Sequence, residues 1–501
     1  MKVFLINPPY CHEEQGGALE PIGLCYLASV ARLAGHDVRI HDLCDTHHAD
    51  LPRFFAEMDA FDPEVVGITG MSSNYMAGLK VARAVKARYG CTTVFGGWHV
   101  SGRPQTVLEA AIDYVVIGEG EDTFVELLRF LSSGKPQRCE IRGLAYEEDG
   151  HVQINRPRER MKSLDLLPPP DRSELPVHRY RHPMLMNVPV SRMKTLSLQG
   201  SRGCPYKCTF CQTPAIWGNL WRHRDAASVA DEIEHLIEAH QINSLFFRDE
   251  EFTLNRTWVL DVARELTRRG IPKVLQWGSF CRLDDIDREL VETLKEAGYC
   301  YGFVGIEGGT AGARDRIRKH FKQEEAERAL QLFHEYDITS HAGWIIGFPW
   351  DTPEGLEEQF DWLRTLPIDL LAMSYAMPFD GTPFGEEMKA TGMLLSEDTD
   401  RISLKRPVLR TPHIGTEELV RIRASFVRRF YLRPRHLARM VRRLYLQPQR
   451  FRIFGEIVWQ FGKTAYFGPR GLSDFSIPDS LYKSPSREDP GGEIRRESAA
   501  A

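Results

Sequence analysis

Short apolar segments alternate with helical ones along most of this chain, and that alternation leaves few folds open. In the N-terminal part the expected strands are 2–6, 38–41, 65–69, 93–95 and 114–117, with helices over 21–34 and 76–89. Apolar strands separated by helices predict a parallel, doubly wound sheet. Ligands of such sheets bind at the carboxyl ends of the strands. Those ends carry Asn7, Pro8 and Pro9, then Gly70 to Asn74, then Gly96 to His99, then Gly118 to Glu121. All four are rich in Gly, Pro or small polar residues, as a large flat ligand lying against the backbone requires.

A second series begins near Thr195, with expected strands 195–199, 244–248, 274–280, 302–305, 342–346 and 370–376 and helices such as 229–240 and 258–269. Six βα units in about 190 residues fall short of the roughly 250 that a closed eight-stranded barrel takes, so a partial barrel, open on one side, is predicted. Between the two series the chain is irregular, with Pro157, Pro168, Pro169, Pro170, Pro176, Pro183 and Pro189, and reads as a linker with a few short strands. The expected division is a nucleotide-fold-like domain over 1–135, a linker over 136–193, the partial barrel over 194–390, a basic helical segment over 391–475 and a disordered polar tail over 476–501.

The 501 residues are 42% hydrophobic and 27% charged with both signs abundant, as in globular domains. No apolar run approaches the roughly 20 residues of a membrane span, and residues 1–7 read as a strand rather than a signal peptide, so a cytoplasmic protein is expected. Between Arg401 and Arg452 fifteen Lys and Arg stand against Glu417 and Glu418, although the net charge of the whole chain is −5. An acidic body with one basic segment argues against a general nucleic-acid binder and leaves room for a single anionic contact. The stretch 420–443 interleaves Phe426, Phe430, Tyr431, Leu437, Met440 and Val441 with arginines. It reads as a helical lid whose apolar stripe caps the barrel; the alternatives are an anionic membrane surface or an anionic substrate.

Ten cysteines are too few and too scattered for a disulfide scaffold at this length. Cys11, Cys25, Cys44, Cys91, Cys139, Cys281 and Cys300 lie apart and are expected to be small buried hydrophobes. Cys204, Cys208 and Cys211 instead share one loop, just after the first strand of the second series. Three thiolates so placed hold three corners of an iron–sulfur cluster or three positions of a metal, and leave one position for another ligand. A structural zinc site with His223 as a distant fourth ligand is the plainer alternative, but such sites usually pair two CxxC knuckles.

With Phe210 ahead of the third cysteine, this spacing resembles the signature of the radical S-adenosylmethionine (SAM) superfamily, over about residues 195–385. The resemblance implies a [4Fe-4S] cluster on Cys204, Cys208 and Cys211, its fourth iron chelating the amino and carboxylate groups of SAM. It further implies SAM contacts at Phe210, at Asp249 and Glu250 toward the methionine amine, at Arg282 toward the carboxylate, at Glu307 toward ribose or substrate, and at Gly347 beside adenine. For Asp249 and Glu250 the alternative is a helix N-terminus with first-turn acids, and for Arg282 a surface arginine.

Residues 1–135 are similar to the cobalamin-binding domain joined to many radical SAM enzymes. That similarity implies cobalamin contacts at Asn7, Pro8, Ser72, Ser73, Asn74, Gly96, Gly97, His99, Gly118 and Glu119; a helix cap is the alternative for His99. Many such domains carry an Asp-x-His-x-x-Gly run whose His ligates cobalt. The nearest string here, Asp45 to Asp50 with His47 and His48, lacks the Gly, so no histidine ligand is expected and the Ser72–Tyr75 loop would meet the lower face. A methylthiotransferase would need three further cluster cysteines, which Cys11, Cys25 and Cys44 do not supply. The family implied is that of cobalamin-dependent radical SAM enzymes. The activity implied is methyl transfer from methylcobalamin to an unactivated carbon of a small-molecule or lipid-like substrate through a 5′-deoxyadenosyl radical. An electron donor such as flavodoxin or ferredoxin would serve it. The alternative is a non-methylating member, an oxidative cyclase or a ring-rearranging enzyme. The basic segment hints at an anionic or membrane-associated substrate.

Overall fold

The computed structural model describes residues 1–9, 19–43, 51–109, 111–182, 185, 192–395 and 406–446. Cys11, Cys44, the Asp45–Asp50 string, Pro183, Pro189 and the tail 476–501 lie outside the described residues.

The N-terminal sheet has seven strands: β1 (Lys2–Asn7), β2 (Asp37–Asp42), β3 (Val65–Thr69), β4 (Thr92–Gly96), β5 (Tyr114–Val116), β6 (Leu144–Glu148) and β7 (His151–Ile154), in the order β2-β1-β3-β4-β5-β6-β7. The first five run parallel, as expected. Alternate side chains of β1 enter different cores, because helices cover both faces. Val3 and Leu5 pack with Leu24, Cys25 and Ala28 of helix Ile22–Leu33 and with Phe124 and Leu127 of helix Glu121–Ser133. Phe4 and Ile6 pack with Phe54 of helix Leu51–Phe61 and with Leu79 and Ala82 of helix Tyr75–Tyr89.

The domain does not stop at residue 135. β6 and β7 form a hairpin that adds two antiparallel strands to the sheet, so the first third of the expected linker belongs to it. Asp149 and Gly150, both at positive φ, make the turn that a two-residue hairpin favours.

The second sheet is the expected partial barrel: β8 (Thr195–Leu198), β11 (Ser244–Phe247), β12 (Gln276–Cys281), β13 (Tyr299–Glu307), β14 (Thr339–Ile346) and β15 (Leu370–Tyr375), all parallel and in the order β15-β14-β13-β12-β11-β8. A short hairpin, β9 (Ser201–Arg202) with β10 (Arg222–His223), follows β8. Outward residues such as Cys281, Val304, Ile306, Ala342 and Trp344 are sealed under helices. Their inward neighbours Phe280, Phe303, Gly305, Glu307, His341, Ile345, Ala372 and Ser374 stay half-buried, which marks an open lumen.

The basic helix Thr416–Tyr431 lies on the outer face of β14 and β15, where the helix of the sixth unit belongs. Phe426 stacks on Phe360 with ring centroids 4.3 Å apart and lies 5.6 Å from Trp344. Arg423 donates to the Met373 carbonyl at 2.9 Å and Arg429 pairs with Glu357. The stripe residues Phe426, Phe430 and Tyr431 are therefore spent on the barrel wall, not on its lumen, whereas Leu437 and Val441 stay exposed. Among the described residues no helix is long and apolar enough to cross a membrane.

Candidate functional site

The loop bearing Cys204, Cys208 and Cys211 crosses the mouth of the barrel and is tied down from three sides. Thr209 donates to the Ile317 carbonyl at 3.0 Å, and Phe384 donates to the Thr209 carbonyl at 3.0 Å. Phe210 packs against the cluster of Ile317, Phe348 and Phe384. At the loop entrance Gly203 has φ +94°, and a Cβ there would lie 2.2 Å from the Leu220 carbonyl oxygen, so only glycine fits. All three cysteines are free and half-buried.

Among the described residues no three His, Cys, Asp or Glu side chains converge on a single ion position. His223, the distant fourth ligand of the zinc alternative, shares a hydrogen bond of 3.0 Å with the Arg224 carbonyl through Nδ1. In an iron–sulfur cluster each of three such thiolates takes a different iron. Burial pushes the Cys204 thiol up to about 12 and raises Cys208 as well, so bound iron rather than the protein would hold the thiolates. Of the scattered cysteines, Cys25, Cys91, Cys281 and Cys300 are buried as expected, whereas Cys139 is exposed.

Three consecutive acids follow β11 after Arg248. Asp249 accepts from the Gly200 amide at 2.8 Å and from Ser201 Oγ at 2.6 Å. Glu250 accepts from the Gly203 amide at 3.3 Å. Glu251, which the sequence reading passed over, accepts from Thr253 Oγ1 at 2.6 Å and from the Arg282 amide at 3.1 Å. The following helix starts only at Arg256 and is capped by Asn255, so these are not first-turn acids. Asp249 is sealed inside and braces the strand end before the cysteine loop; its burial lifts the carboxyl to about 7.

Arg282 is not a surface arginine. It pairs with Asp284 at 2.9 Å, donates to the His320 carbonyl at 2.7 Å, and lies 3.7 Å from the Tyr206 ring centroid, over the cysteine loop. Glu307, at φ +60° beside a bulge in the β13–β14 ladder, pairs with Lys319 at 3.4 Å. Gly347 donates to Asp351 at 2.7 Å.

The expected cobalamin contacts separate into two groups. Asn7 is buried against Asp42 (2.9 Å), the Pro8 carbonyl accepts from Asn74 at 3.4 Å, and Asn74 also accepts from the Met71 amide. Glu119 is likewise committed, pairing with Arg222 of the barrel hairpin. Ser72, Ser73, Gly96, Gly97, His99 and Gly118 occupy the carboxyl edge of β3, β4 and β5. His99 stacks on Tyr75 with centroids 4.1 Å apart and shares a hydrogen bond of 3.2 Å with Ser72 Oγ through Nδ1. Its Nε2 is buried with no hydrogen-bond partner among the described residues, and burial lowers the imidazole to about 4. An orphaned polar atom on a glycine-rich ledge fits the amide rim of a corrin.

The two sheets meet carboxyl edge to carboxyl edge. Trp98 lies edge-on to Trp217 at 6.4 Å, and a Cβ on Gly102 would lie 2.5 Å from the carbonyl oxygen of Asp380, which follows β15. Arg202–Glu121 and Arg222–Glu119 pair across the boundary. Farther back, Glu20 accepts from the Ser197 amide at 2.8 Å and from Arg172 at 3.1 Å.

Residues 13–128 match the B12 binding domain and residues 198–363 the radical SAM superfamily. An uncharacterised methyltransferase of Pyrococcus horikoshii is 30% identical over 445 residues, covering 87% of this chain and 94% of its own. An anaerobic magnesium-protoporphyrin IX monomethyl ester cyclase of Cereibacter sphaeroides is 26% identical over 94% of this chain and 78% of its own. Among solved structures, the radical SAM methyltransferase TsrM of Kitasatospora setae, with cobalamin and a [4Fe-4S] cluster bound, superimposes with a TM-score of 0.65 at 21% identity, covering 87% of this chain and 82% of its own.

Proposed function

The chain belongs to the cobalamin-dependent radical SAM methyltransferase family, and on that premise we propose that it transfers a methyl group to an unactivated carbon of a small molecule. The observation that carries this reading is the meeting of the two carboxyl edges, which turns the glycine-rich ledge of the N-terminal sheet toward the barrel mouth that bears the cysteine loop.

Bound together, the cluster, SAM and cobalamin supply an electron, a 5′-deoxyadenosyl hydrogen acceptor and a methyl donor. Cys204, Cys208 and Cys211 would hold the cluster, with Tyr206 and Arg282 stiffening their loop. Ser72, Gly97, His99 and Gly118 would receive the corrin. Phe210 packs on the buried Phe348 and Phe384, which backs the cysteine loop with apolar side chains. Asp249 keeps the end of β8 in place beneath them.

Mass spectrometry of the SAM products of anaerobically reconstituted protein, with cobalamin and a strong reductant, tests this. 5′-Deoxyadenosine together with S-adenosylhomocysteine supports methylation. 5′-Deoxyadenosine alone turns the reading to cyclisation or rearrangement, the activity named for the Cereibacter relative.

A further inference from the structure

Among the described residues, the lumen of the partial barrel holds a cation that the cysteine loop and the domain boundary do not use. Arg248 directly follows β11, two residues after the inward-facing Phe246, and its amide donates to the Leu198 carbonyl at 2.8 Å. Its guanidinium is half-buried and has no hydrogen bond or ion pair among the described residues. The neighbouring cations are committed: Arg282 to Asp284, Lys319 to Glu307, Arg202 to Glu121 and Arg222 to Glu119.

Aromatic rings line the same space in an unbroken series. Phe246 and Phe280 lie 5.1 Å apart, Phe280 and Phe303 5.3 Å, and Phe303 and His341 4.8 Å. Ala372 takes an inward position opposite them and leaves room, whereas the space at Gly305 is taken by the side chains of Lys319 and Glu307. Tyr301 and His341 close the floor through a hydrogen bond of 2.7 Å, and His182 stacks on Phe246 at 4.7 Å. Burial lowers His341 to about 3 and His182 to about 4, so both imidazoles are neutral and the positive charge there is that of Arg248.

An unpaired, half-buried guanidinium beside an aromatic lumen is a ready partner for a carboxylate, which meets its fork in two parallel hydrogen bonds. We propose that the lumen takes a substrate with a flat apolar body and one negatively charged group, the charge seated on Arg248 and the body between Phe280, Phe303 and Ile345. This deepens the reading above and rests on it only for the cofactors that share the site.

The test uses the full chain reconstituted with cluster, cobalamin and SAM, and two probes, 3-phenylpropionate and its uncharged amide, titrated by calorimetry. The carboxylate is expected to bind at least tenfold more tightly than the amide. Arg248→Gln should bring the carboxylate down to the affinity of the amide and leave the amide unchanged, and Arg248→Lys should restore part of the difference. Equal binding of the two probes, a preference that survives Arg248→Gln, or binding of neither probe overturns the proposal. Iron and cobalamin contents confirm that each variant is assembled. Should Arg248→Gln lose iron, Ala372→Phe decides instead, since filling the lumen must abolish binding of both probes and retained binding overturns the assignment. No arm depends on turnover, so a missing S-adenosylhomocysteine peak would remove methylation without touching this result.

Discussion

Arg202 of the barrel hairpin donates to Glu121 of the N-terminal domain at 2.7 Å, with side chains only 2% and 8% exposed. Glu121 begins the helix after β5 and Arg202 immediately precedes the cysteine loop, so this pair couples the placement of one domain to the loop of the other. Breaking a buried pair leaves an uncompensated charge and costs about 3–5 kcal/mol. Glu121→Gln should therefore lower the urea midpoint, whereas the double variant Glu121→Leu with Arg202→Met should recover much of the loss. A single variant as stable as the wild type would remove the clasp.

Replacing Cys204, Cys208 or Cys211 by Ala should abolish cluster absorbance and 5′-deoxyadenosine formation together. Cys281→Ala, in a buried position outside the loop, should keep both at a modest cost in stability. Iron analysis and product chromatography decide this.

Tyr206 supports the cysteine loop through the Arg282 guanidinium above its ring, a contact of about 0.5–2 kcal/mol. Tyr206→Ala should speed iron loss to a chelator, and Tyr206→Phe should match the wild type. Identical rates for all three would show that the stack does not hold the loop.

Asp249 titrates near 7 in the folded chain because burial disfavours its charge. Its folded value lies above the unfolded one, so the stability it contributes is fully present below about pH 4 and is lost as pH rises through about 7. Protein without cofactors should unfold at lower urea at pH 8.5 than at pH 5.5, and Asp249→Asn should reduce that difference.

Gly97 has φ +104°, and a Cβ there would lie 2.7 Å from the Gly70 carbonyl oxygen. Gly97→Ala should cost about 1–3 kcal/mol and release cobalamin on gel filtration while iron content holds. Full cobalamin retention would place the corrin elsewhere.

Much of the fold was legible because its signals are local. The strand expected at 65–69 is β3 to the residue, and the other strands match within three residues at either end. The few short strands expected between 136 and 193 include the hairpin β6–β7, but its place in the N-terminal sheet was not read, although its Asp149-Gly150 turn was in plain sight. Helix Leu51–Phe61 was not marked, although Phe54, Phe55 and Met58 are spaced to face one core. Site residues fared less evenly. Glu119 has the residue type and position of a ligand contact, yet its partner Arg222 lies 103 residues away, and no pattern along the chain announces it. Arg282 read as a SAM contact or a surface residue, and its stack on Tyr206 depends on two loops brought over one barrel mouth.

Sequence alone determined the parallel strands of both sheets and the loop of three cysteines, because strand period, helix period and ligand spacing are set by neighbours a few residues apart. Tertiary structure decided which charges are spent. Glu119 and Glu121 are consumed in contacts across 103 and 81 residues, while Arg248 is left without a partner among the described residues. Such pairings follow from how two domains close on each other, and a buried charge is stable only where that closure brings it a counter-charge.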